Sequence, residues 1–450
     1  MADKLTRRYG LLTSICLVVG TVIGSGIFFR NEPIFRAIGG DMWIGVAAWI
    51  VGGLIALSLT YALGILSTQH EEVDGIAGLA EILVGEKYAY VFGWFMATIL
   101  FPALVGVLAW ISGRFTVELL GLEADLFFSG QTYLFALFYL VAIYAMNALA
   151  PKLAEKFHVS CTFIKVVPLI LMGIVGFTVG LSNGTTVANM GTTYVPVVEG
   201  NPFFIALIST AFAYLGWEVV ISLSKEIINV KRNLPIALVV GMLIIISVYV
   251  LYFIGLFGAA SVEELTSGGV RVAFTNVFSE VGGTLLFVFI IISCLGTLNG
   301  LTTALGRSFY ALAAKKQGPK HVLLSQVDGV SGMPVNSMAL GLLLVTFWML
   351  VFGGHLAGYY YFPVPDLIPI SLNAMFIPIL VATMFKEKGL GFFNRIVAPI
   401  IAITGAGFLV YAVVYQQVVS DQSVTILHFL VLFTIFMAIG LLLKGKVQKV

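Results

Sequence analysis

About twelve apolar runs, each long enough to cross the roughly 30 Å hydrocarbon core of a bilayer as a helix, recur along this chain of 450 residues. They lie near 10–36, 42–66, 88–112, 131–149, 158–181, 202–224, 235–258, 281–312, 335–353, 362–384, 396–416 and 424–443. A backbone in lipid has no water to bond, so a spanning segment must be a helix or a strand of a closed barrel, and barrel strands are only about half this length. Charged residues make up 10% of the chain, against about 25% in a soluble domain. The expected fold is an all-α polytopic membrane protein. Loops are short and nothing resembles an appended soluble domain, so 1–450 reads as one integral unit. The first run is too long for a signal-peptide core and lacks a small-residue cleavage site, so no cleaved leader is expected.

Lysine and arginine are retained on the cytoplasmic side of a membrane. With an inside N-terminus, Lys4, Arg7, Arg8, Lys231, Lys315, Lys446, Lys449 and most other loop cations fall inside, and only Arg30, Arg36, Arg114 and Arg271 fall outside. Both termini are expected in the cytoplasm. The net charge of +2 then reflects topology and gives no sign of a nucleic-acid partner. The connector 67–87, with Glu71, Glu72, Asp74, Glu81 and Glu86, reads as a polar acidic loop, and acidic residues contribute little to orientation. Cys16, Cys161 and Cys294 lie inside apolar runs and read as buried free thiols.

Three features break the apolar pattern. In Val19-Gly20-Thr21-Val22-Ile23-Gly24-Ser25-Gly26-Ile27-Phe28-Phe29, glycines and a serine interrupt the first run. Non-helical backbone at membrane depth survives where it lines a cavity or is buried in protein, and broken helices at mid-depth build the substrate sites of many secondary transporters. Close helix packing through small residues is the alternative. The sixth run repeats the anomaly at Phe212-Ala213-Tyr214-Leu215-Gly216-Trp217-Glu218, where Glu218 is either a functional intramembrane carboxylate or a structural one bonded to its neighbours. Lys165 stands about a third of the way into the fifth run, three residues before Pro168 and two helical turns from His158. It either pairs inside the bundle or snorkels to the interface. The two breaks fall five spans apart, as in a five-plus-five inverted repeat with discontinuous helices 1 and 6. The repeats would cover about 10–181 and 202–384, followed by two extra helices at about 396–443. Ser293, Gly296, Thr297, Asn299 and Gly300 give the eighth run a small, polar face suited to tight packing or to lining a cavity.

The motifs Gly20-Thr21-Val22-Ile23-Gly24-Ser25-Gly26-Ile27-Phe28, Phe212-Ala213-Tyr214-Leu215-Gly216-Trp217, Arg232-Asn233-Leu234-Pro235 and Leu295-Gly296-Thr297-Leu298-Asn299-Gly300 occur in an order that resembles the amino acid/polyamine/organocation (APC) superfamily of transporters. Within it the chain is most similar to bacterial relatives of the L-type amino acid transporters (LAT). The resemblance implies a LeuT-like fold with a free amino acid held between spans one and six. It implies that backbone N–H groups of Gly24, Ser25 and Gly26 hold the substrate carboxylate, a role suited to the start of a half-helix. By the same resemblance the ammonium meets carbonyls near Val22, Ile23, Phe212 and Ala213, Phe212 is an aromatic gate, and Tyr214 and Trp217 shape the pocket. Lys165 matches a lysine of sodium-independent members that contacts unwound carbonyls near Gly20, which implies transport without sodium, by exchange or by proton-coupled uptake. Leu215 stands where an acidic residue would favour cationic substrates, so neutral amino acids are expected, with Glu218 the anchor if the substrate is instead a cationic amino acid or a polyamine.

The sequence departs from the family pattern at Val230, at 313–319 and in the connector 67–87, which places it in a divergent subfamily. The outer loop 113–130 has no cysteine, so no disulfide-linked heavy subunit is expected. His70, His158, His321, His355 and His428 are scattered and form no catalytic or metal-binding motif, so no enzyme activity, metal or cofactor is expected. A channel, the alternative from another functional class, would need a continuous pore lined by charge or carbonyls. The expected location is a plasma membrane, that of a bacterial inner membrane, with a small-molecule amino acid and the lipid bilayer as partners.

Overall fold

The computed structural model describes every residue except 1–6, 8, 72–74, 123–128, 193–194, 196–197, 421–422 and 445–450, and gives no side-chain placement for 423–425. Lys4, Arg8, Glu72, Asp74, Lys446 and Lys449 therefore lie outside the described residues. Among the described residues the architecture is all-α, with one isolated backbone bridge between Tyr9 and Ile227. Among the described residues eleven helices are long and apolar enough to cross a membrane, and the bent pair Leu11–Val22 with Gly26–Ile38 makes a twelfth if counted as one span. The chain is a multi-pass membrane protein.

Local chemistry starts several spans where the sequence changes character. Asp41 accepts hydrogen bonds from the N–H groups of Trp43 and Ile44 and opens the second span, Met42–Gln69. Asn201 does the same for Phe203 and Phe204 ahead of the sixth, with Pro202 in the first helical position, where its missing N–H costs nothing. A reciprocal Ser261–Glu264 cap starts the helical run that becomes the eighth span. That run, Val262–Ala314, is longer than the expected 281–312 because a helical arm precedes the span, set off by non-helical backbone at Gly269 and Ser279.

Two expectations need correction. The connector 67–87 is not simply a polar loop: Gly75–Leu83 is a helix, because Ile76, Leu79, Ala80 and Leu83 recur at helical spacing and are buried. Its acidic neighbours have specific partners, Glu71 with Arg7 at 2.7 Å and Lys231 at 3.6 Å, and Glu81 with Lys315. The fifth span begins at Pro151 rather than 158, since the charged first turns, with exposed Lys152, Glu155 and Lys156, continue the helix into the loop.

The third span is the most enclosed, with 89% of its apolar window buried, whereas the twelfth has only 11% and lies at the periphery. Around the third and the two broken helices stand the seventh and eighth spans, so the breaks sit in the protein interior. One face of this centre is closed by Arg30, which is buried at 7% exposure. Its guanidinium donates to the backbone carbonyl of Ser209 at 3.2 Å, to the Ser209 hydroxyl at 3.1 Å and to the Asp366 carboxylate, joining the first, sixth and tenth spans. On the opposite face Tyr9 donates its N–H to the Glu226 carbonyl at 3.0 Å and accepts from the N–H of Ile228 at 2.9 Å, tying the entry of span one to the connector after span six.

Removing one partner of a buried ion pair leaves an uncompensated charge and costs about 3–5 kcal/mol when burial is complete. Asp366 retains 24% side-chain exposure, so solvent offsets part of that loss. Arg30→Ala, which also breaks both Ser209 bonds, is expected to lower the thermal midpoint of the detergent-purified protein more than Asp366→Asn. Equal midpoints for both variants and the parent would show that this contact does not hold the three spans together.

Candidate functional site

The first span stops at Val22, Ile23 adopts an extended backbone, and a second half-helix starts at Gly26 with Ser25 as its unbonded cap. The sixth stops at Ala213 and resumes at Trp217, with Gly216 between them at φ +117°. The breaks face each other at backbone contact. A Cβ on Gly26 would lie 2.8 Å from the Ala213 Cα, and one on Gly216 would lie 2.4 Å from the Thr21 carbonyl oxygen. Gly216 is therefore required twice, by its left-handed φ and by that approach.

Breaking a helix strands its carbonyls. Lys165, fully buried at 0% exposure, donates its ammonium to the Gly20 carbonyl and, at 3.4 Å, lies against the Thr297 hydroxyl. It thus joins spans one, five and eight and does not snorkel to the interface. Tyr249 of the seventh span directs its hydroxyl at two stranded carbonyls, Ala213 at 3.1 Å and Val22 at 3.4 Å. Its ring packs edge-on to Trp49, centroids 5.2 Å apart, and beside Tyr214 at 5.3 Å. Nothing in the sequence singled out Tyr249, which is one hydroxyl in an otherwise apolar run. Glu218 turns back on its own half-helix: one carboxylate oxygen accepts from the Gly216 N–H at 3.0 Å, while the other is buried without a partner.

A small internal cavity lies where the breaks meet, and the structure brings Val22, Gly24, Ser25, Gly26, Phe212 and Ala213 to its wall. Ile23, Tyr214, Trp217 and Glu218 are not part of that wall. Leu104 and Leu108 of the third span and Leu301 of the eighth complete its apolar side, and Thr297 places a hydroxyl between the cavity and Lys165. The leucines resemble any other core leucine in sequence, whereas Thr297 belongs to the polar face already visible on the eighth run. No charged side chain lines the cavity.

The N–H groups of Gly24, Ser25 and Gly26 have no hydrogen-bond partner among the described residues, and the Ser25 hydroxyl is buried and unbonded as well. Three unbonded N–H groups thus stand on the cavity wall at the start of a half-helix, where the backbone dipoles favour an anion. The facing carbonyls are less open: those of Val22 and Ala213 are shared with Tyr249, and that of Phe212 accepts from the N–H of Leu215 at 3.3 Å. Toward the Arg30 side Phe212 meets Phe29 edge-on at 5.3 Å, and the Arg30 guanidinium stands 5.7 Å from the Phe29 ring centre. Two aromatic rings and an ion pair therefore separate the cavity from that face.

Comparison with known proteins gives a consistent set of matches. The family model described as "Amino acid permease" matches residues 9–445. A serine/threonine exchanger, SteT, of Bacillus subtilis (strain 168) is 28% identical over 352 residues, 78% of this chain and 78% of the relative. The b(0,+)-type amino acid transporter 1 of Mus musculus is 26% identical over 340 residues, 72% of this chain and 66% of the relative. The cystine/glutamate transporter of Homo sapiens is 24% identical over 332 residues, covering 72% of this chain and 64% of the relative.

The packing ranks glycine substitutions. Gly216→Ala meets a fixed carbonyl oxygen at an adverse φ, Gly26→Ala meets the Ala213 backbone, and Gly24→Ala meets only the Thr297 side chain, at 2.9 Å from its hydroxyl. Thermal midpoints in detergent are expected to fall in that order, Gly216→Ala losing the most and Gly24→Ala the least. Tyr249→Phe leaves two buried carbonyls without their donor and is expected to cost about 1–3 kcal/mol. An unchanged unfolding midpoint would remove Tyr249 from its bridging role.

Proposed function

The chain belongs to the amino acid permease family of the APC superfamily, and from that membership we propose that it is a sodium-independent exchanger of neutral L-amino acids working by alternating access. The observation that carries the reading is the uncharged cavity between two broken helices, with three unbonded backbone N–H groups of a half-helix start on its wall. A free amino acid presents a carboxylate to such donors, and in a low-dielectric interior their attraction for it is strong. Its ammonium takes the remaining lone pairs of the Val22 and Ala213 carbonyls, both on the cavity wall. The side chain then lies against Leu104, Leu108 and Leu301.

Neutral substrates are supported by the charge distribution. Glu218, the candidate anchor for a cation, spends one oxygen on the Gly216 N–H and lies off the cavity wall. Lys165 is one hydroxyl removed from the cavity and would repel a cationic side chain. Exchange is supported by the name of the Bacillus subtilis relative. Sodium independence rests on Lys165, whose ammonium supplies at the Gly20 carbonyl the positive charge that a coupling ion would otherwise bring.

Alternating access asks for closures on both faces that can open in turn. Phe212, Phe29 and the Arg30–Asp366 pair form one, and the Tyr9 pairing with the span six–seven connector, flanked by Arg7, Glu71 and Lys231, forms the other. By the distribution of lysine and arginine the first faces outward and the second faces a cytoplasm that holds both termini. The inverted repeat, 10–181 against 202–384, is supported by the reciprocal approach of Gly26 to Ala213 and of Gly216 to Thr21. A bacterial inner membrane and independence from a disulfide-linked heavy subunit complete the reading.

Proteoliposomes preloaded with unlabelled amino acid test it. Saturable counterflow of a labelled neutral amino acid is expected, equal in sodium and choline media and poorly competed by arginine or putrescine. Dominant competition by arginine would overturn the neutral assignment, and uptake without counterflow would overturn exchange. Lys165→Ala is expected to purify as folded protein with transport reduced at least about tenfold, since the Gly20 carbonyl loses a charged donor worth about 1.5–3 kcal/mol. Phe212→Ala is expected to raise the apparent KM through weakened occlusion; an unchanged KM and rate would exclude it as a gate.

A further inference from the structure

A second cavity lies on the far side of the sixth-span break. Ala56 and Leu59 of the second span, Trp217 of the sixth, Asn373 of the tenth and Leu409 of the eleventh contribute to its wall. Leu215 is the one residue that lines both cavities. It stands in the broken segment itself, half-buried, with its N–H in a turn to the Phe212 carbonyl rather than in a helical ladder.

Two polar groups face this second space without partners. The Asn373 side chain is 7% exposed and Trp217 is 2% exposed, and among the described residues neither the amide nor the indole N–H makes a hydrogen bond. Buried polar groups are almost always paired, because leaving one unbonded costs about 1–3 kcal/mol. The neighbouring Tyr214 obeys that rule, its hydroxyl donating to the Trp49 carbonyl at 2.8 Å. The Asn373 amide offers donors and an acceptor, and the indole offers one donor more. With no charged side chain on the wall, an ionic group would be desolvated there without a counter-charge.

We propose that the second cavity is a side-chain subsite, entered past Leu215, that takes the amide or hydroxyl end of a neutral amino acid and hydrogen-bonds it through Asn373 and Trp217. The proposal rests on the reading that the first cavity holds the amino acid backbone. Leu215 then sets which side chains pass: small ones remain in the first cavity, and longer ones with a neutral polar end displace the leucine and satisfy Asn373. Leucine-like chains of the same length leave the amide unbonded and are disfavoured. Charged ends are rejected on desolvation.

The test is the ratio of glutamine to serine counterflow in proteoliposomes holding wild type, Asn373→Leu or Leu215→Ala. Loss of one hydrogen bond of about 1.4 kcal/mol is tenfold, so Asn373→Leu is expected to lower the ratio about tenfold and Leu215→Ala to raise it by a similar factor. A ratio in Asn373→Leu equal to wild type overturns the subsite, as does a wild type that carries serine and rejects glutamine. Should Asn373→Leu not purify as folded protein, Asn373→Ser is measured instead, and an unchanged ratio there is equally decisive. A wild type that counterflows no amino acid at all sinks the transporter reading, whereas serine counterflow with an unmoved ratio sinks the subsite alone.

Discussion

Everything at the centre of this protein follows from one constraint: a helix broken inside a membrane must have its stranded backbone groups satisfied by protein. Lys165 takes the Gly20 carbonyl, Tyr249 spans the Val22 and Ala213 carbonyls, and Glu218 takes the Gly216 N–H. These donors and acceptors come from the fifth, seventh and sixth spans, so the breaks persist only while the surrounding bundle is assembled. What remains unsatisfied at the first break includes the N–H groups at 24–26 and the Ser25 hydroxyl, and at the second one oxygen of Glu218. The bundle neutralises much of the break and leaves a set of unbonded backbone donors on the wall of one cavity.

The same constraint explains why the breaks are glycine-rich on both sides. Each must come within van der Waals contact of the other's backbone for the neighbouring side chains to reach both, as Tyr249 does. A side chain at Gly26 or Gly216 would meet the facing backbone and force the half-helices apart. Packing through small residues and the lining of a cavity, which look like competing explanations of the glycines in the first span, are therefore one arrangement. The close approach creates the cavity.

Charge is placed with similar economy. Arg30 and Lys165 are both buried, yet each ends on specific oxygen partners, and neither enters the wall of the first cavity. The ion pair of Arg30 with Asp366 and the backbone pairing at Tyr9 use different physics on the two faces. One is electrostatic and crosses three spans; the other is a short main-chain contact flanked by half-exposed ion pairs, among them Arg7 with Glu71.

Much of this was legible in the sequence because lipid leaves few options. Run length and low charge fixed an all-α membrane protein of about twelve spans, since an apolar stretch of some 20 residues has one way to satisfy its backbone in hydrocarbon. The glycine breaks, Glu218 and Lys165 were visible as violations of that same rule. The motif order pointed to the family to which the chain belongs. Only the tertiary structure decided what each violation does. Glu218 lies off the first cavity with one oxygen on the Gly216 N–H, a placement that its position in the run does not reveal. Leu104, Leu108 and Tyr249 became wall and bridge through the positions of spans three and seven, and Trp217 and Asn373, far apart in sequence, came to share a second cavity. Periodicity and composition report how a residue meets its own helix and the lipid; they carry no information about which distant helix stands opposite, and that opposition is what makes a site.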